Sequence, residues 1–199
     1  MPVNSHSSDA LRLLVGLGNP GKRYAHSRHN AGFLVLEHLA AQASLSFRSA
    51  GQAEYSRWGH YLLLKPQTFM NLSGNAVLPY MQRHSLQPRQ VLVVHDDLDL
   101  PLGRLRFKRG GGAGGQKGVA HIAACIGADF YRLKLGIGRP PPRWTVEHWV
   151  LSSFTEQEQA LLTLVQEHAC KAITMALESD VDKAANYYNG LDIRALLPS

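Results

Sequence analysis

Three features of the 199-residue sequence predict an α/β fold: a single domain with a twisted mixed central sheet flanked by helices on both faces. Short apolar runs alternate with stretches of helical period, the pattern of strands feeding helices. Two strand-like runs separated by Gly59-His60 read as a hairpin, which cannot be parallel, so the sheet must be mixed. A hydrophobic content of 45% over this length can bury one substantial core and leaves little room for a second.

Residues 11–17 are an apolar run stopped by glycine and proline, hence a buried first strand. Residues 31–43 carry helical spacing through Phe33, Leu36, Leu39 and Ala40. The hairpin follows over 54–58 and 61–65, then a second helix over 77–84 and a buried strand over 91–94. Residues 104–108 alternate as a strand, 118–126 read as helix, and 131–137 as another strand. A long amphipathic run over 155–177 opens with Thr155 and Glu158, spaced as a capping box. The domain is expected over 11–190, with a polar, Ser-rich flexible tail at 1–10 and a C-terminal tail at 191–199. Neither an internal repeat nor a low-complexity tract interrupts it.

No segment is long and apolar enough to span a bilayer, and residues 2–10 lack the apolar centre of a secretory signal. Cys125 and Cys170 stand in apolar, helix-like surroundings without metal-ligand spacing, as reduced core thiols of a cytoplasmic protein would. The net charge of +6 is unevenly spread. Residues 101–150 hold nine basic side chains (Arg104, Arg106, Lys108, Arg109, Lys117, Arg132, Lys134, Arg139, Arg143) against Asp129 and Glu147, while 151–199 hold seven acids and three bases. Ordinary solvated lysines and arginines would account for most such excesses. Here the bases surround a Gly-rich loop, which favours a face for phosphates.

Asn19, His29, Asn71 and Asp96 each sit at a strand end or in a loop between apolar segments. A general base, a carboxylate to orient it and two amides to hold a carbonyl are what ester hydrolysis without a serine or metal requires. The run Gly16-x-Gly18-x-x-Gly21 after a strand also fits the dinucleotide fingerprint, with Glu37 near the expected distance. A helix would then have to begin at the third glycine, yet residues 22–30 are polar and aperiodic, so the cofactor reading is rejected.

Four motifs carry a family resemblance: Gly16-Leu17-Gly18-Asn19-Pro20-Gly21, Arg28-His29-Asn30-Ala31-Gly32, Phe69-Met70-Asn71-Leu72-Ser73-Gly74 and His95-Asp96-Asp97-Leu98-Asp99-Leu100-Pro101. With Val150-Leu151-Ser152-Ser153-Phe154, and in this order, they resemble bacterial peptidyl-tRNA hydrolase over most of the chain. The resemblance implies cleavage of the ester joining a peptide, or an N-blocked amino acid, to the 3′ ribose of tRNA, recycling tRNA from aborted translation. It implies no metal and no cofactor, peptidyl-tRNA as the partner, no membrane, and a cytoplasmic monomer without an obligate protein partner. His29 matches the family's catalytic histidine and Asp96 its carboxylate, while Asn19 and Asn71 match amides that hold the carbonyl and its peptide. Tyr24, Phe69 and Met70 match residues lining the cleft; stacking on the terminal adenine suits Tyr24 and Phe69, and core packing remains open for Phe69. Lys108 and Lys134 match the bases that grip the 5′ phosphate, the second being arginine in the usual pattern.

The chain departs from that pattern in the stretch from Gly110 to Gly118, where Gln116-Lys117 replaces His-Asn. The Lys117 ammonium is a poor isostere for an amide but can donate to phosphate or to a developing oxyanion. The glycines suit either backbone approach to an anion, a moving gate, or a plain structural turn. Arg139-Pro140-Pro141-Pro142-Arg143 is a stiff basic segment, most simply a surface linker. Two other readings remain beside hydrolysis of peptidyl-tRNA: a non-catalytic RNA-binding factor on the same fold, and a small-molecule esterase, which the basic face disfavours.

Overall fold

The computed structural model describes residues 10–197. Of the expected N-terminal tail, all but Ala10 lies outside the described residues. The strands are β1 (Leu13–Gly16), β2 (Arg48–Ala50), β3 (Ala53–Trp58), β4 (Tyr61–Pro66), β5 (Val91–Asp97), β6 (Leu105–Arg109) and β7 (Tyr131–Gly136). The α-helices are α1 (Ala31–Gln42), α2 (Ser73–Arg83), α3 (Lys117–Ile126), α4 (Val146–Leu151), α5 (Gln159–Glu178) and α6 (Val181–Tyr188).

Strand order is β2-β3-β4-β1-β5-β7-β6. The four central strands, β4-β1-β5-β7, are parallel, and β2, β3 and β6 join antiparallel at the edges. The hairpin behaves as expected, with Trp58 opposite Tyr61 across Gly59-His60, and it makes the sheet mixed. Alternation along the strands divides the core. Leu14, Leu63, Leu92 and Leu133 pack under α1, α5 and α6; Leu13, Leu62, Val91 and Val93 pack under α2 and α3. Each fully buried leucine contributes about 2 kcal/mol of apolar transfer energy, which is why β1, apolar at every position, lies at the centre.

Two glycines let α1 lie unusually close to the sheet. A Cβ on Gly16 would stand 2.4 Å from the Gly32 carbonyl oxygen, and one on Gly32 would stand 2.2 Å from that of Val94. The residues just before α1 are thereby brought against the C-terminal ends of β1 and β5.

Several elements differ from expectation. Helix α2 starts four residues earlier than predicted, at Ser73, whose hydroxyl donates to the Met70 carbonyl at 2.7 Å. Strand β5 runs on through His95-Asp96-Asp97 because Lys134, Leu135 and Gly136 of β7 pair with them. The Thr155–Glu158 capping box forms but caps a short 3-10 turn that leads into α5. Strand β2, helix α4 and helix α6 have no counterpart in the sequence reading, being short and lacking a full apolar period. Residues 191–197 of the expected C-terminal tail dock onto the β6 side: Ile193 is buried, and its N–H donates to the Gly103 carbonyl at 3.0 Å. Just before them, Asn189 covers the open edge of β6, its amide accepting from Phe107 N–H at 2.7 Å and donating to Phe107 O at 3.2 Å.

Candidate active site

Helix α1 leaves β1 towards one face of the sheet and α2 leaves β4 towards the other, so the chain parts at adjacent strand ends. A crevice opens at such a point. It is a cleft of about 530 Å³, floored by Asn19, His29 and Asp96, with the Gly-rich loop on one wall and α4 on another.

His29 lies on a 3-10 turn, Arg28–Asn30, just before α1, and its two neighbours hold it from opposite sides. The buried Arg28 guanidinium makes two bonds to Glu158, at 2.9 and 2.7 Å, and stacks 3.6 Å from the centre of the Trp149 ring. Asn30 pairs with the backbone of Asn19, accepting its N–H at 2.8 Å and donating to its carbonyl at 2.9 Å. Between these anchors, His29 Nδ1 lies 2.8 Å from Asp96 Oδ2. A carboxylate there accepts from Nδ1–H, which leaves Nε2 with its lone pair. Asp96 is 3% exposed. Its other oxygen, Oδ1, accepts from Gln116 Nε2 at 3.0 Å.

The Asn19 side chain accepts the Met70 N–H at 2.8 Å through Oδ1, so its NH₂ is the group it can offer the cleft. Asn71 and Phe69 stand exposed at the rim, and Tyr24 and Lys117 also face the cleft. Met70 reaches the wall, but its side chain is buried beneath Gly118. All eight residues expected at the reacting end are therefore brought together.

Lys108 and Lys134 are not among the cleft residues. They lie on β6 and β7, beyond β5, on the sheet face that also carries Arg106 and Arg132. Lys134 is ion-paired with Asp97, so it does not stand as the open phosphate ligand its position suggested. Burial pushes the Asp97 carboxyl up, but the hydrogen bond and charge of Lys134, with the Asp99 N–H bonded to Oδ1, outweigh this and hold it below the usual carboxylate range. Arg132, counted within the basic face, is 1% exposed, its guanidinium donating to the carbonyls of Gly110, Gly111 and Gly112. It braces the Gly-rich loop. Arg109 pairs with Asp129 and Arg139 with Asp99. Charge is visible in a sequence; the direction of a side chain is not.

His95, read as a structural strand-end residue, is buried, with Nδ1 2.7 Å from the Asp96 carbonyl oxygen. Burial pushes its imidazole down to about 4, which keeps it neutral. Cys170 is a buried free thiol, pushed up to about 12 by burial, whereas Cys125 is only half-buried. The rejected dinucleotide reading fares no better here: residues 22–24 form a single turn, and Glu37 binds Lys65 at 2.7 Å. Among the described residues no cluster of three or more His, Cys, Asp or Glu could hold a metal, and no helix is long and apolar enough to cross a membrane. Sequence reasoning assigned no contacts to Arg28 and Asn30 and missed the bond from Gln116 to Asp96. The only sequence signal for these was their place inside the motifs.

A histidine held by a buried carboxylate, with amide donors beside it at the C-terminal ends of parallel strands, is equipment for hydrolysis by general-base chemistry. A family model described as peptidyl-tRNA hydrolase matches residues 13–195. The peptidyl-tRNA hydrolase of Desulfitobacterium hafniense is 46% identical over 184 residues, covering 90% of this chain and 100% of that protein. That of Thermus thermophilus is 45% identical over 182 residues, covering 91% and 97%. The crystal structure of the Acinetobacter baumannii enzyme superposes with a TM-score of 0.88 at 36% identity, covering 95% and 99%. The chain belongs to the peptidyl-tRNA hydrolase family.

Proposed function

We propose that this protein hydrolyses the ester between a peptide, or an N-blocked amino acid, and the 3′ ribose of tRNA, with His29 activating the attacking water. The observation that carries this reading is the 2.8 Å His29–Asp96 contact at the floor of the cleft. Asp96 fixes the tautomer with the proton on Nδ1, so Nε2 can take a proton from water. The hydroxide equivalent adds to the ester carbonyl, and the imidazolium is stabilised by the Asp96 charge. Asn19, through its NH₂, and Asn71 are suited to hold the carbonyl as negative charge gathers on its oxygen. Collapse of the tetrahedral intermediate expels the ribose oxygen, which recovers the proton from His29. Tyr24 and Phe69 suit stacking on the terminal adenine. Lys117 and Lys108, both exposed, suit contacts with phosphates. The protein acts as a cytoplasmic monomer, recycling tRNA released from aborted translation. A non-catalytic RNA binder would have no use for an aligned His–Asp pair.

The test is to offer the pure protein an N-blocked aminoacyl-tRNA and its free-amino counterpart. Hydrolysis of the first and sparing of the second is expected. Equal rates on both, or none on either, would overturn the proposal.

A further inference from the structure

Asp96 is a buried carboxylate to which, among the described residues, no lysine or arginine is bonded; Lys134, on the neighbouring strand, is committed to Asp97. Its charge is satisfied instead by two neutral-side donors, the imidazole on Oδ2 and the Gln116 amide on Oδ1. The orientation of that amide is not arbitrary. Gln116 Oε1 accepts Val119 N–H at 2.9 Å as the N-cap of α3, so Nε2 must be the atom facing Asp96, 3.0 Å from Oδ1 and 3.2 Å from Met70 Sδ. Rotating the amide would set an NH₂ against an N–H and an oxygen against a carboxylate, two repulsive contacts in a site only 8% exposed.

We infer that Gln116 is a positioning residue for the reaction: it holds Asp96 in the rotamer that orients His29 and ties the carboxylate to the start of α3 and the Gly-rich loop. The inference rests on the His29–Asp96 mechanism proposed above. Without this second donor a buried carboxylate oxygen would be left unsatisfied, and the carboxylate would be free to turn towards whatever donor or water it could reach. His29 would then lose its alignment even though it keeps its own bond partner. The next residue is Lys117, which faces the cleft, so one side chain links the end of the Gly-rich loop to Asp96.

Three variants separate positioning from simple helix capping. Gln116→Ser retains a good N-cap but is too short to reach Asp96, so kcat should fall about 10-fold or more with KM for N-blocked aminoacyl-tRNA little changed. Gln116→His offers one nitrogen to accept from Val119 N–H and the other to donate to Asp96, and should restore kcat to within about threefold of wild type. Gln116→Glu can donate to Asp96 only while the two carboxyls share a proton. Its rate relative to wild type should therefore fall at least fivefold between pH 6 and pH 8. Circular dichroism and urea unfolding establish that each variant is folded. If wild type is active and His29→Ala is not, yet Gln116→Ser keeps full kcat or the Gln116→Glu ratio is independent of pH, the positioning role is overturned alone. If wild type itself fails to hydrolyse the substrate, the mechanism beneath it falls as well.

Discussion

Replacing Arg28 by methionine tests whether the turn that carries His29 is held from outside the cleft. The substitution keeps most of the apolar stem and deletes the guanidinium, with its two bonds to Glu158, its stack on Trp149 and its contact with Ser152 Oγ at 3.3 Å. Breaking a buried ion pair by removing one partner costs about 3–5 kcal/mol. Glu158 is 26% exposed and keeps its bonds to Thr155 N and Oγ1 at 2.7 and 3.0 Å, so it partly rehydrates and the cost falls to about 2 kcal/mol. Loss of the desolvated cation–π stack adds about 1 kcal/mol. A total near 3 kcal/mol lowers Tm by roughly 6–12 °C in a domain of this size. Because His29 is the next residue, kcat should drop at least about 10-fold through misalignment. Acid dependence should change too. Burial pushes the Glu158 carboxyl up, but Arg28 together with the Thr155 N–H and hydroxyl more than compensates, so its pKa is lowered from 4.5. A depressed carboxyl adds stability that is present above its unfolded pKa and lost as pH falls below it. That loss should shrink in Arg28→Met. Urea unfolding at pH 7 and pH 4, with steady-state kinetics at 25 °C, reads all three. A stability change under about 0.5 kcal/mol, well below the usual cost of a buried pair, would refute the reasoning.

His29→Ala should lower kcat by about 10²–10⁴ while tRNA affinity stays near wild type; an unchanged rate in folded protein removes His29 from the mechanism. Lys108→Ala should reduce the salt slope of tRNA binding by roughly 0.7–0.9 and spare a minimal substrate lacking the tRNA body, whereas equal losses on both substrates would place this lysine with the fold or the cleft. His95, with an imidazole pushed down to about 4 from 6.5, contributes stability that is full above pH 6.5 and lost as pH falls towards 4, up to ~3 kcal/mol. Urea midpoints across that window should fall less steeply for His95→Asn; parallel curves for the two proteins would contradict it.

Alternation and periodicity were enough to foresee the sheet, its mixed character and the main helices, and the resemblance carried by the motifs pointed to the eight cleft residues, because apolar spacing and motif order are local properties of the chain. The same locality explains what stayed hidden. Helices α4 and α6 exist because each packs an apolar side on a surface formed elsewhere, Val150 beside Phe154 and Leu162, and Ala184 and Tyr188 under the β6 edge. By charge alone Lys134 and Arg132 read alike, as basic residues on one strand. Only packing turned one towards Asp97 and the other into the carbonyls of the Gly-rich loop. Likewise the Asp96 partners come from residues 67 and 20 positions away. A single sequence names the groups able to do the chemistry, but which oxygen meets which donor depends on long-range contacts, and those are decided by how the strands and helices close on one another.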